Sequence, residues 1–211
     1  MDSERHGKQQ TLLTSSLGRA WDDRDDFYVG GNMFIYYSQL QQKQNDFRGP
    51  DVFVVLDTTR RERKSWVVWG ENGRTPDVVI ELLSPSTEQV DRGEKMRIYA
   101  QLLRVSFYYL FDPLTGVLEG YELDHTVRAY VRLAPLSDRD LPCPVLGLRL
   151  GVRPGRYQGL EADWLRWLDA EGRPLPTDEE IAGAEAKLRA DAERRLIEAL
   201  AEVERLERER G

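Results

Sequence analysis

The chain has 211 residues, 37 acidic and 30 basic, a formal charge of −7 and 40% hydrophobic side chains. At roughly 150 residues per domain, that is one domain with an appendage. A single cysteine, Cys143, and two histidines, His6 and His125, exclude an intramolecular disulfide framework and a cysteine zinc cluster, and nearly exclude a Ser-His-Asp triad or a multi-His metal site. Chemistry must therefore rest on carboxylates, lysine or tyrosine. No apolar run approaches the roughly 20 residues needed to cross a bilayer, and MDSERHGKQQ lacks a signal-peptide apolar region. A cytoplasmic protein with no membrane partner is expected.

Residues 1–20 are polar and aperiodic and read as a flexible N-terminus. FYVGGNMFIYY (27–37) is aromatic and β-branched around Gly30-Gly31, which predicts a strand with a turn or bulge. DVFVVL (51–56) and DVVIELL (77–83) are short apolar runs typical of strands buried on both faces. SWVVW (65–69) is a shorter piece of the same kind. The spacing of Met96, Tyr99 and Leu103, and of Ile98 and Leu102, predicts a helix over about 87–103. Ser86 reads as its N-cap, with Gln89 completing a capping box. VSFYYLF (105–111) is a strand stopped by Asp112-Pro113. Residues 117–123 and 127–132 form an antiparallel pair with a tight turn at Asp124-His125. Residues 135–176, rich in Pro and Gly, read as irregular β structure that closes a domain spanning 21–176.

Residues 178–210 contain no proline. Ile181, Leu188, Ala192, Leu196, Ala199, Val203 and Leu206 recur mostly three or four apart, which predicts a long amphipathic helix and a coiled-coil seam. The expected organisation ends with this helix over 177–211. It has no partner of comparable length in the body, so homo-oligomerisation through it is expected. The segment 178–211 holds 11 acidic and 7 basic residues, a net of −4, which leaves −3 for the other 177. A body so near balance does not decide nucleic-acid binding, which depends on a local basic patch. Arg60, Arg61, Arg63 and Lys64 form the best local cluster, either a phosphate-contacting patch or a solvated loop.

Two strands open alike, with Gly49-Pro50-Asp51 and Thr75-Pro76-Asp77. Alternation along the second puts Asp77, Val79 and Glu81 on one face and Val78, Ile80 and Leu82 on the other. Glu81 is then a carboxylate among aliphatic side chains. Burying it alone would cost several kcal/mol, so it needs a partner or a metal. If the two strands are neighbours, Asp51 converges on it, and such a pair suits Mg²⁺ or Mn²⁺. Lys95 and Tyr99, four apart on the following helix, share a face. Lys95 there would polarise a scissile phosphate or orient the attacking water.

Strand, carboxylate strand and helix in this order resemble the PD-(D/E)XK nuclease superfamily. More specifically, PDVFVVLD, PDVVIELLSPST, RGEKMRIYAQL and FYYLFDPLTGVLEGYEL are similar to the Uma2 family (DUF820) of restriction-endonuclease-like proteins, over about Phe27 to Leu150. The resemblance implies an α/β (mixed α+β) restriction-endonuclease-like core with a central mixed sheet. It makes Asp51 and Glu81 the metal ligands and the catalytic carboxylates, with Asp77 assisting or shaping the strand entry. The lysine expected two residues after Glu81 is Leu83 here, so its role passes to Lys95, supported by Tyr99. An acidic residue from a preceding helix would have to come from Asp22, Asp23, Asp25 or Asp26. The implied activity is metal-dependent hydrolysis of nucleic acid, DNA first. The alternatives are a non-cutting member of the fold that binds nucleic acid or protein, and an assembly protein whose working part is the tail.

Overall fold

The computed structural model describes residues 4–38 and 47–210. The chain divides into two compact units, Met1–Leu175 and Pro176–Gly211. The first is built on a six-stranded mixed sheet of order β1 (Phe27–Gly31), β4 (Val52–Leu56), β6 (Val78–Leu82), β7 (Phe107–Phe111), β8 (Leu118–Asp124) and β9 (Ala129–Arg132). Two-residue strands β2 (Ile35–Tyr36), β3 (Phe47–Arg48) and β5 (Trp66–Val67) make a small satellite sheet. All neighbours in the large sheet are antiparallel except β6 and β7. A parallel pair cannot be joined by a hairpin, so the chain crosses one face of the sheet. The crossover is the helical segment 88–103.

The strand alternation read from the sequence holds. Val78, Ile80 and Leu82 face one core with Leu13, Leu17, Tyr109, Phe111, Leu165 and Trp167. Val79 faces the other with Phe53, Trp66, Tyr99, Leu103 and Tyr108. The first core is closed by a second sheet, β10 (Asp140–Cys143), β11 (Leu148–Tyr157) and β12 (Leu160–Leu168), paired antiparallel. Strands of ten and nine residues are regular structure, which corrects the irregular reading of 135–176. Its prolines are accommodated because Pro142 and Pro154 stand within paired strands without ending them. Gly30 is needed for close approach: a Cβ there would fall 2.6 Å from the Phe53 ring.

The flexible N-terminus expected over 1–20 is corrected for the described residues 4–20, which form a helix, Glu4–Ala20. Residues 1–3 lie outside the described residues. The helix buries His6, Gln9, Leu12, Leu13, Ser16 and Leu17. Those positions follow helical spacing, but half of them are polar, which hides the stripe. Gln9 explains how a buried polar residue can sit there. Its amide donates to the Leu165 carbonyl at 2.8 Å and accepts from the Leu165 N–H at 2.9 Å, so it completes the backbone bonding of β12. Trp167 Nε1 donates to the Leu13 carbonyl at 3.0 Å. The N-terminal helix is thus part of the first unit, which begins before residue 21.

The 88–103 helix is also not as expected at its start. The helical residues follow Thr87, no side chain caps them, and Ser84 supplies the organising contacts. Ser84 accepts the N–H groups of Thr87 and Glu88 on its carbonyl, and its hydroxyl lies 3.0 Å from that of Thr87. The hairpin between β8 and β9 turns through residues 125–128, with Arg128 at φ 52°, rather than at two residues.

In the second unit, Asp178–Arg210 is one continuous helix. Its start is a capping box missed in the sequence. Thr177 Oγ1 accepts the Glu180 N–H at 3.2 Å, and Glu180 Oε2 accepts the Thr177 N–H at 2.7 Å. Among the described residues, no helix is long and apolar enough to cross a membrane.

Candidate active site

The register between β4 and β6 places Asp51 opposite Glu81. Val52 pairs Ile80 and Val54 pairs Val78, so one step further along the antiparallel ladder the two carboxylates are neighbours. The Asp51 N–H donates to Glu81 Oε2 at 3.4 Å, and the Leu82 N–H donates to Asp51 Oδ2 at 2.7 Å. Glu81 is fully buried, while the Asp51 side chain keeps 22% of its surface exposed. Of the two carboxylates, Asp51 is therefore the one that meets water.

The crossover helix carries the remaining parts. Asp91, Lys95 and Tyr99 stand at successive spacings of four, all within the wide, π-type turns Asp91–Lys95 and Tyr99–Leu103. Such turns are frequent where a helix must aim several side chains at one place. Lys95 Nζ lies 3.0 Å from Glu81 Oε2 and 2.8 Å from Asp91 Oδ1. Tyr99 donates its hydroxyl to Glu81 Oε1 at 2.9 Å. Tyr108 donates to the Asp91 carbonyl at 2.9 Å and packs its ring 5.3 Å from that of Tyr99. The helix then stops because Arg104 adopts a left-handed conformation, and the Val105 N–H returns to the Tyr99 carbonyl at 3.0 Å.

The electrostatics follow from this burial. Removal from water pushes the Glu81 carboxyl up to about 8, against the pull of Lys95 and with added push from Asp51 and Asp91. Burial alone would lower the Lys95 ammonium, but the two carboxylates outweigh it and hold it above its ordinary range. Burial, then Glu81, keep the Tyr99 phenol un-ionised far above neutrality, so Tyr99 acts as a donor.

The structure brings together Asp51, Glu81, Lys95 and Tyr99, and separates the other candidates. Asp77 stands at the opposite end of β6, where it accepts the Leu56 N–H at 2.8 Å; it shapes the strand entry and does not reach Glu81. Leu83, in the usual lysine position, is buried in the apolar core beside Tyr99. The basic loop lies at the same far end, where Phe27 pairs Leu56. Arg60 pairs with Asp22 at 3.2 Å and Arg61 with Glu71 at 2.7 Å. Arg63 also binds Glu71, at 2.8 Å, with its guanidinium 4.8 Å from the Tyr28 and Trp66 ring centres. Arg63 is a packing residue, 3% exposed, and not a free phosphate contact. Lys64 is exposed on the same loop. Asp22 and Asp26 serve the local pairs with Arg60 and Arg24.

Three residues were missed. His6 Nε2 lies 2.7 Å from Asp51 Oδ1, and Gln10 donates to the Asp51 carbonyl at 2.6 Å, both from the N-terminal helix. Asp91 is the third, and its spacing of four before Lys95 was a usable signal. For His6 the sequence carries little signal beyond the rarity of histidine.

A sequence model of the Uma2 family, described as "Putative restriction endonuclease", matches residues 1–153. The chain belongs to the Uma2 family. That match begins at the N-terminal helix, in keeping with the part this helix takes in the Uma2 fold here. The uncharacterized protein slr1290 of Synechocystis sp. is 38% identical over 114 residues, 54% of this chain. The match spans only 56% of that relative's length. A solved structure titled as a "putative nuclease belonging to DUF820" from Anabaena variabilis aligns with a TM-score of 0.49 at 17% identity, covering 69% of this chain and 75% of that one. The mixed α+β core with a central mixed sheet is the one that the sequence predicts.

Proposed function

We propose that this Uma2 protein is a divalent-metal-dependent hydrolase of phosphodiester bonds in nucleic acid, DNA first, working in the cytoplasm. The observation that supports this best is Asp51 opposite Glu81 with the Lys95 ammonium 3.0 Å from Glu81. The donor set fits a hard cation. Glu81 and Asp91 flank the single ammonium of Lys95 and Asp51 adjoins Glu81, so acidic groups outnumber the cation. Among the described residues no group of three or more His, Cys, Asp or Glu is placed to hold a metal ion by itself. Mg²⁺, or Mn²⁺ in its place, does not need such a group, since Mg²⁺ is commonly held by one or two carboxylates and completed by water and substrate phosphate. Asp51 and Glu81 would hold it.

A bound divalent ion supplies an activated water and stabilises charge on the phosphate oxygens. The protein's own residues do the rest. Lys95, kept protonated by two carboxylates, is a fixed positive charge for a phosphate oxygen and not a proton acceptor. Asp91 and Glu81 aim it. Tyr99 holds one Glu81 oxygen, and the Leu82 N–H with His6 holds the two Asp51 oxygens. The basic loop at the far end takes no part in this site. The C-terminal helix serves self-association.

The test is cleavage of supercoiled plasmid and of single-stranded circles with Mg²⁺ or Mn²⁺. Wild type is expected to nick in a metal-dependent way, and Asp51→Ala to lose at least about 100-fold while keeping its circular dichroism spectrum. Equal cleavage by the variant, or none by wild type with either ion and either substrate, would refute the assignment.

A further inference from the structure

The second unit presents an apolar face with nothing in its own unit to cover it. Along this face Leu188 is 70% exposed, Leu196 61% and Leu206 43%. We infer that this face is covered by the same helix of a second copy, running antiparallel, with the two-fold axis between positions 195 and 196. The inference rests on the self-association assigned to the helix above and adds its direction and register.

Two features carry it. The first is the spacing of the seam. With Glu185 and Arg210 added at helical spacing to the apolar seam, positions 181, 185, 188, 192, 196, 199, 203, 206 and 210 are separated by 4, 3, 4, 4, 3, 4, 3 and 4 residues. A strict heptad seam would continue the alternation of three and four. The two successive fours interrupt it at the middle, and taking 195 and 196 together at that point makes the series read the same in both directions. Reflection about 195–196 carries 181 to 210, 185 to 206, 188 to 203 and 192 to 199. A seam with this symmetry meets itself when the second helix runs the other way. Ala192 then faces Ala199, a small pair beside the Leu196 contact at the axis.

Charge is the second. Residues 178–186 carry a net −4, 187–195 +2, 196–204 −3 and 205–210 +1. Parallel pairing in register lays each block on itself, which is repulsive along the whole length. Antiparallel pairing about 195–196 lays +2 on −3 twice, and −4 on +1 twice. Lys187 and Arg189, on either side of position 188, then flank the seam opposite Glu202 and Glu204, on either side of position 203. In the single helix Arg189 pairs with Glu193 and Glu202 with Arg205, exposed contacts that can exchange for these at little cost.

Cysteine scanning of the full chain separates the outcomes. The native Cys143 is buried and its thiol is pushed up to about 12, so introduced cysteines report alone. Under mild oxidation, Leu196→Cys is expected to give a covalent dimer, because the two copies of position 196 flank the axis. Leu188→Cys is expected not to. In the antiparallel pair its two copies stand 15 residues apart, about 22 Å at 1.5 Å per residue. Light scattering of wild type is expected to give twice the chain mass. Rapid crosslinking of Leu188→Cys would overturn the direction in favour of a parallel pair. A dimer by mass in which Leu196→Cys does not crosslink would overturn the register. A monomer with no crosslinking in either variant would overturn self-association itself.

Discussion

Lys95→Met is expected to lower stability by about 3–5 kcal/mol, the cost of stripping the cation from a buried ion pair. The pair at stake is Lys95 with Asp91, which is 1% exposed and in the variant has no other ammonium or guanidinium in contact among the described residues. For a chain of this size the loss corresponds to a fall of roughly 6–20 °C in Tm. The methionine fills much of the lysine stem's volume, so the loss reports charge and not a cavity. A divalent cation has more to neutralise in the variant, so saturating Mn²⁺ is expected to raise its Tm by more than it raises that of wild type. Cleavage is expected to stay abolished despite this rescue, because the charge aimed at the phosphate is gone. Differential scanning calorimetry with and without Mn²⁺ checks both. A variant as stable as wild type would mean that Lys95 points into water and does not bridge the two acids.

Glu81→Gln is expected to change the pH dependence of stability in the metal-free protein. Burial raises the Glu81 carboxyl from its ordinary 4.5 to about 8 in the folded state. Between those values the folded chain holds a proton that the unfolded chain has released. Stability contributed by this proton is complete below about 4.5, declines as pH rises, and is lost above about 8. The wild-type Tm should therefore carry a downward component across that window. Glutamine mimics the protonated acid at every pH, so the variant should lack the component and be more stable than wild type near pH 9. The amide can still meet Tyr99 on one side and Lys95 on the other. Thermal melts from pH 5 to 9 in chelator decide the point; parallel Tm profiles for the two proteins would show that Glu81 is ionised throughout. The same substitution is expected to remove the response to divalent cations. A change that stabilises the fold and abolishes activity is the mark of a group held for function.

The sheet was legible because its strands are written as continuous apolar runs, and the placement of Glu81 followed from alternation alone. Asp51 opposite Glu81 required one further fact, the antiparallel pairing of β4 with β6, which the sequence does not state and the ladder supplies. The tail helix was legible because nothing competes with its alanine, leucine and glutamate. Two parts were hidden. The N-terminal helix buries Gln9 and Ser16 in backbone hydrogen bonds, so its inner face looks polar, and His6 could not be aimed at Asp51 without it. The β10–β12 sheet runs through prolines and glycines that normally break strands, and its order comes from long-range pairing over the core. In the basic loop, likewise, charge in sequence does not reveal that Glu71 and two aromatic rings consume Arg63.

In the proposed function, Asp51 and Glu81 together hold a divalent ion. Calorimetric titration of Mn²⁺ into wild type and Glu81→Gln, at low salt near pH 8 and with a saturating short oligonucleotide present, tests it most directly. The expected result is binding of one ion by wild type and none by the variant. Equal binding by both proteins, or no binding by wild type with the oligonucleotide bound, would contradict it.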